Sequence, residues 1–349
     1  MQNILSMNPL ELSSLMEEIN EPKYRAKQIF CQLHRGIMLD DMTNVGKLTK
    51  EKIKTVCDTA LPKIKRKLVS KLDGTVKYLF ELSDKNCIES VVMQYEHGFT
   101  ICVSSQVGCR MGCRFCASTL MGRVRNLEAG EILGQIISAN KDLGIRISNV
   151  VMMGIGEPLD NYDNVVKFLE LVNLKDGINI GYRHISLSSC GLVDKIYELA
   201  KLNLPITLSI SLHASSDRVR SEIMPVNNRW DIKSLLEACK EYYMTTQRRI
   251  SFEYTLIAGK NDSIESAAEL GRLLNMSLRD GNCRMPIHVN LIPVNEVKET
   301  GFVGSDRAAI HKFIAELEKY NIRATVRRRL GSDINASCGQ LRRADAENN

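Results

Sequence analysis

Apolar residues near the start of the chain recur at helical spacing: Leu12, Leu15, Met16 and Ile19, then Ala26, Ile29, Phe30 and Leu33. That repeat gives each helix one apolar stripe, so residues 9–61 are expected to form a small helical module. The period then changes. Runs at 77–82, 89–93 and 100–104 are strand-like, and turn residues at Asp73-Gly74 and 84–86 predict a hairpin or meander. From Cys109 onwards, β-branched runs at 148–153, 185–188, 206–212, 250–256 and 287–292 alternate with helical segments at 128–143, 162–174, 232–243 and 263–274. Strand, helix, strand at this spacing means βαβ units and a parallel sheet, open or closed into a barrel. Reactive groups are expected at the carboxyl ends of its strands.

Composition narrows the class. The 349 residues, 44% hydrophobic and 25% charged, describe an ordinary globular chain with room for about two domains, and argue against disorder, collagen and coiled coil. The longest apolar stretches, such as 150–155, fall far short of the roughly 20 residues that span a bilayer. No charged-then-apolar leader opens the sequence, so a soluble, cytoplasmic protein without membrane contact is expected. Residues 344–349 read as a frayed tail. The net charge of +6 points only weakly to a polyanionic partner, and its distribution says more. Nine basic residues (Lys47, Lys50, Lys52, Lys54, Lys63, Lys65, Arg66, Lys67, Lys71) fall between 47 and 71, and Arg323, Arg327, Arg328, Arg329, Arg342 and Arg343 cluster near the end. A charge run is either a solvated face or a phosphate-binding surface. No RRM or KH signature is present, so any RNA would be recognised by shape and an unstacked base.

The eleven cysteines make an odd number in a chain without an export signal, which argues for reduced thiols, some of them ligands or reactive groups. Cys109-Arg-Met-Gly-Cys113-Arg-Phe-Cys116 follows a strand-like run and places three thiolates on one tight loop. Three sulfurs without a local fourth suit an iron-sulfur cube with one open iron; a structural zinc site completed by a distant cysteine is the competing reading. Phe115 shields sulfur from water in either case. Gly154-Ile155-Gly156-Glu157-Pro158 also follows a strand, as a ligand-binding glycine loop or a simple turn. Leu159 at the third glycine position disfavours a dinucleotide site.

The CxxxCxxC loop in a parallel α/β core resembles the radical S-adenosylmethionine (SAM) superfamily. Cys102-Val-Ser-Ser-Gln-Val-Gly-Cys109, Met152-Met-Gly-Ile-Gly-Glu-Pro-Leu-Asp-Asn161, Ser211-Leu-His213, Val289-Asn-Leu-Ile-Pro-Val-Asn295, Asp333-Ile-Asn-Ala-Ser-Cys-Gly-Gln340 and the N-terminal Glu21-Pro-Lys-Tyr-Arg-Ala-Lys-Gln-Ile-Phe30 are similar to the RlmN-type adenine-C2 methyltransferases of 23S ribosomal RNA and transfer RNA. The resemblance implies a partial parallel (β/α)6-type barrel over 99–343, connecting strands at 76–98 and a helical, basic, RNA-binding accessory domain over 1–75. It implies a [4Fe–4S] cluster on Cys109, Cys113 and Cys116, with SAM at the open iron and held by Gly156, Glu157, Ser188, Ser211, Leu212, His213 and Asn295. Taken singly, those polar residues read as ordinary strand-end groups and His213 as a packed histidine.

The implied reaction uses two SAM molecules per turnover. One methylates Cys338; the other, reduced by the cluster, yields a 5′-deoxyadenosyl radical that takes hydrogen from the new methyl group. The carbon radical adds to adenine C2, Glu89 accepts the C2 proton, and Cys102 attacks Cys338 to release RNA and leave a disulfide. An electron donor and a thiol reductant are needed, and a monomer is expected. Glu89 alone would pass for a solvent-facing strand carboxylate. Cys31, Cys57, Cys87, Cys190, Cys239 and Cys283 match no functional position and read as structural. Asn335 stands where Asp is common in the family and Ser337 where Ala is, which puts the docking of the Cys338 loop in question. Methylation at C8, or a non-catalytic zinc-containing RNA-binding protein, are the alternatives.

Overall fold

The computed structural model describes residues 1–281, 283–295, 299, 301–337 and 339–340. Ten strands form its main sheet: β1 (Lys63–Val69), β2 (Val76–Glu81), β3 (Cys87–Tyr95), β4 (Gly98–Cys102), β5 (Ile147–Met152), β6 (Ile185–Ser189), β7 (Thr207–Ser211), β8 (Ile250–Leu256), β9 (His288–Pro293) and β10 (Arg323–Val326). They lie side by side in chain order. Neighbours from β4 to β10 pair in parallel, whereas β1 to β4 form an antiparallel meander. The meander expected from the turn residues is present, and the α/β reading of the remainder holds. Met152, Ser188, Ser211, Thr255 and Ile292, from five successive strands, line one cavity. The sheet therefore curves around that cavity as a partial barrel, and those residues sit at or near the strands' carboxyl ends.

Three helices, α1 (Pro9–Glu18), α2 (Tyr24–His34) and α3 (Lys47–Val56), make up the N-terminal module. Asn8 caps α1 by accepting from the Leu10 and Glu11 amides while Glu11 bonds back to the Asn8 amide, a reciprocal capping box, and Pro9 occupies the first turn. The predicted apolar stripes point inward: Leu12, Met16, Ile29 and Phe30 are buried. The basic stretch after this module is not helical. Residues 63–69, within the 1–75 region expected to be helical, form the exposed strand β1, whose backbone pairs with β2. A charged edge strand of this kind discourages pairing with other chains.

Later helices cross between parallel strands, among them α4 (Ala129–Leu143), α5 (Tyr162–Asn173), α6 (Val193–Lys201), α7 (Asp217–Ile223), α8 (Ile232–Thr246), α9 (Ile264–Leu278) and α10 (Arg307–Glu318). No helix among the described residues is long and apolar enough to cross a membrane. Gln135 of α4 is fully buried and spans two parts of the chain. Its Oε1 accepts from Ser90 Oγ at 2.6 Å and the Ser104 amide at 2.9 Å, and its Nε2 donates to the Ser104 carbonyl at 2.9 Å. These bonds fix the chain where it leaves β4 for the cysteine loop. Replacing Gln135 with Leu orphans several buried polar groups, so urea denaturation is expected to show a loss of about 2 kcal/mol or more.

Candidate active site

The cysteine loop is held at its base by a two-stranded antiparallel bracket, Gln106–Gly108 against Arg123–Asn126. Gly108 adopts φ 75°, and a Cβ there would lie 1.9 Å from the Gly122 carbonyl oxygen, so only glycine fits the bracket's closure. Asp160 ties the bracket to the glycine loop: it pairs with Arg110, with Arg123 at 3.0 Å and with Gln106 Nε2 at 2.9 Å. Cys109, Cys113 and Cys116 all open on the main cavity. Burial pushes the Cys109 thiol up to about 12 and Cys113 well above its usual range, with the neighbouring thiols adding to both. Among the described residues no three His, Cys, Asp or Glu side chains converge as a single metal ion would require. Three thiols bordering one space are the donor type that an iron–sulfur cluster takes.

Gly156, Glu157, Ser188, Ser211, His213 and Asn295 line this same cavity, so residues from distant parts of the chain meet there. The cavity encloses about 160 Å³. Leu212 is not among the lining residues. It is buried in the core, and its carbonyl accepts from Arg220 Nε at 3.1 Å. Glu157 is buried, and desolvation raises its pKa against two amide donors, Cys190 at 2.7 Å and Leu159 at 3.0 Å. Those amides orient the carboxylate, and no cation among the described residues pairs with it, which suits it to a ligand's ammonium group.

His213 is held by its ring. Nδ1 accepts from the Thr255 amide at 2.9 Å, which leaves Nε2 as the protonated nitrogen, and Phe115 meets the ring edge-on at 4.9 Å. Burial, with Arg220 nearby, lowers its pKa to about 3, so His213 is a neutral donor rather than a base.

Arg220, which the sequence did not single out, is fully buried beneath the site. It donates to the carbonyls of Cys190, Leu212 and Ser211 and to Asn227 Oδ1. Cys190, read from sequence as merely structural, lines the cavity, as does Glu253. An isolated arginine in a short polar helix carries no periodic signal, so pattern reading had no means of finding Arg220.

Cys102 ends β4 and is buried. It lines a second, adjoining cavity with Val91, Met153, Asn295, Arg327 and Ser337, four of which are set by β9, β10 and the loops after them or by the glycine loop. Glu89 does not face solvent: it is buried and pairs with Lys77 Nζ at 2.8 Å. Lys77 also donates to the Asn335 carbonyl at 3.1 Å. Asn335 adopts φ 51°, a left-handed conformation that asparagine tolerates well. Ser337 Oγ bonds the Leu330 carbonyl at 3.2 Å, so neither departure from the family pattern stops the loop from docking. Cys338 lies outside the described residues, as do Arg342 and Arg343.

With this geometry in place, comparison with known proteins is decisive. Residues 2–58 match the model of the ribosomal RNA large subunit methyltransferase N-terminal domain, and residues 103–271 match the radical SAM superfamily. A probable dual-specificity RNA methyltransferase RlmN from Clostridium novyi (strain NT) is 52% identical over 100% of both chains. A protein of the same description from Clostridium botulinum (strain Eklund 17B / Type B) is 53% identical over 99% of this chain and 97% of its own. The chain belongs to the RlmN family of radical SAM RNA methyltransferases. The crystal structure of a radical SAM methyltransferase from Sphaerobacter thermophilus superposes with a TM-score of 0.92 at 38% identity, covering 98% of this chain and 100% of that one. RlmN chemistry accordingly involves SAM and a [4Fe–4S] cluster.

The state of His213 has a pH consequence. Below the ordinary value of 6.5 the unfolded chain takes up a proton that the folded chain refuses until about pH 3, so stability falls as pH drops through that window. His213→Gln removes this contribution. The difference in unfolding free energy between pH 7 and pH 5 is expected to shrink by roughly 1–2 kcal/mol, measured by urea denaturation.

Proposed function

We propose that this RlmN protein methylates C2 of adenosine in 23S ribosomal RNA and transfer RNA through a methylated Cys338. The observation that carries this reading is the setting of the residues either side of Cys338. Ser337 lines the cavity of Cys102, whereas Gly339 lines the cavity of the three cluster cysteines. The Gly339 carbonyl also accepts from the Ala117 amide at 2.8 Å, directly after Cys116. The described residues flanking position 338 thus border both spaces, one for methyl delivery and one for resolution by Cys102.

In this reading Cys109, Cys113 and Cys116 hold the cluster by three thiolates, and two SAM molecules are used per turnover. The cluster supplies an electron for reductive cleavage of SAM. Glu157 orients the SAM ammonium group, His213 donates from Nε2, and Ser188, Ser211 and Asn295 supply further polar contacts. Glu89 accepts the C2 proton; Lys77 pairs with it and also bonds the Asn335 carbonyl, which holds the carboxylate in place. After the adduct radical gives up one electron, the Cys102 thiolate attacks the Cys338 sulfur and breaks its bond to the transferred carbon, which takes a proton as the methyl group; the disulfide left behind is opened by a thiol reductant. The helical module and β1, residues 1–75, bind RNA phosphates; 76–98 connect to the barrel at 99–343, and the enzyme works as a cytoplasmic monomer.

Anaerobically reconstituted protein given SAM, reductant and unmodified RNA is expected to yield 2-methyladenosine on nucleoside analysis. Appearance of 8-methyladenosine, or of no methylated adenosine, would refute the assignment to C2. Cys338→Ala should abolish methylation while keeping the cluster chromophore. Cys102→Ala should instead accumulate a protein–RNA adduct on denaturing gels, and recovery of only free RNA would remove Cys102 from the release step.

A further inference from the structure

Arg327 stands directly after β10 and still pairs with β9, its amide donating to the Leu291 carbonyl at 2.9 Å. Its side chain borders both the main cavity and the cavity of Cys102. Among the described residues lining the main cavity it is the sole cation, since His213 is held neutral. Its Nη1 lies 3.6 Å from the Glu253 carboxylate, and Nη1 and Nη2 each lie 3.2 Å from the Met153 sulfur. A planar guanidinium fork donates well to a ring nitrogen. The adjoining space joins apolar walls, including Val91, Ile292 and Pro293, to a cationic edge of Arg327, Arg328 and Arg329, of which Arg327 also borders the main cavity. An unstacked nucleobase has that combination of apolar faces and polar rim.

We propose that Arg327 is a catalytic residue for the RNA step: its guanidinium donates to a ring nitrogen flanking C2 of the target adenine. This rests on the C2 reading above. Attack at C2 moves electron density onto N1 and N3, and a fixed cation there both aims C2 between the two cavities and stabilises the adduct. Removing one such preorganised donor slows catalysis roughly 100- to 1,000-fold.

The test uses cluster-loaded protein and RNA stem-loops carrying adenosine, 1-deazaadenosine or 3-deazaadenosine at the methylated position. R327M is expected to keep the cluster chromophore and transfer of the SAM methyl group to protein, while RNA methylation falls roughly 100-fold or more. Without reductant, so that no turnover occurs, wild-type protein should bind the adenosine RNA more tightly than one of the deaza RNAs, whereas R327M should bind all three alike. The double variant R327M/E253Q removes the carboxylate that R327M leaves without this partner. A folding defect would be relieved in it, but a defect in reading the base would persist. The assignment is overturned if the deaza penalty is equal in wild type and R327M, or if R327M methylates RNA at the wild-type rate. A wild-type enzyme that makes no 2-methyladenosine overturns the underlying C2 reading instead, and does so before any Arg327 variant is compared.

Discussion

The site depends on the close approach of two loops, the one leaving β4 and the one leaving β5. The Ile155 carbonyl accepts from the amides of Ser105 and Gln106, the Gly154 amide donates to the Val103 carbonyl, and the Glu157 amide donates to Gln106 Oε1 at 3.0 Å. A Cβ on Gly154 would lie 2.6 Å from the Val103 carbonyl oxygen, and one on Gly156 equally near the Gln106 side chain. Glycine is thus required for backbone to meet backbone. This contact places the cysteine loop and the Glu157 carboxylate on the same cavity.

Electrostatic order follows from that geometry. Glu157 and Arg220 are opposite charges in one buried region, but they meet through Cys190, whose amide donates to the carboxylate and whose carbonyl accepts from the guanidinium. A direct ion pair would neutralise both groups. The peptide group between them satisfies each one's hydrogen bonds and leaves the carboxylate open to a cationic ligand.

The C-terminal segment is tied to the same framework from the opposite side. Asp333 accepts from Ser70 Oγ at 2.7 Å and the Lys71 amide at 2.9 Å, and the Gly331 amide donates to Asp73 at 2.8 Å. The Ser70 hydroxyl, aided by the Lys71 amide, holds the Asp333 carboxyl below its usual range. The turn between β1 and β2 therefore carries a basic strand on its outer side and secures the segment leading to Cys338.

Local pattern determined much of this protein. Period 3.6 at Leu12 to Leu33 marked the helical module, β-branched runs marked the parallel strands, and CxxxCxxC with the Gly154–Glu157 loop marked the chemistry, because each of these signals lies within a few consecutive residues. Residues whose meaning depends on a distant partner were not legible in this way. Glu89 read alone as a surface carboxylate and is buried against Lys77; Cys190 read as structural and lines the cavity; Arg220 drew no notice and underpins the site. The basic run at 63–69 shows the same limit, since its strand form comes from backbone pairing with β2 rather than from its own pattern. Sequence settled which residue types and spacings were present. Only the curved sheet, bringing strand ends from five βα units around one cavity, decided which of them face one another, because burial and charge pairing are properties of contacts across the chain.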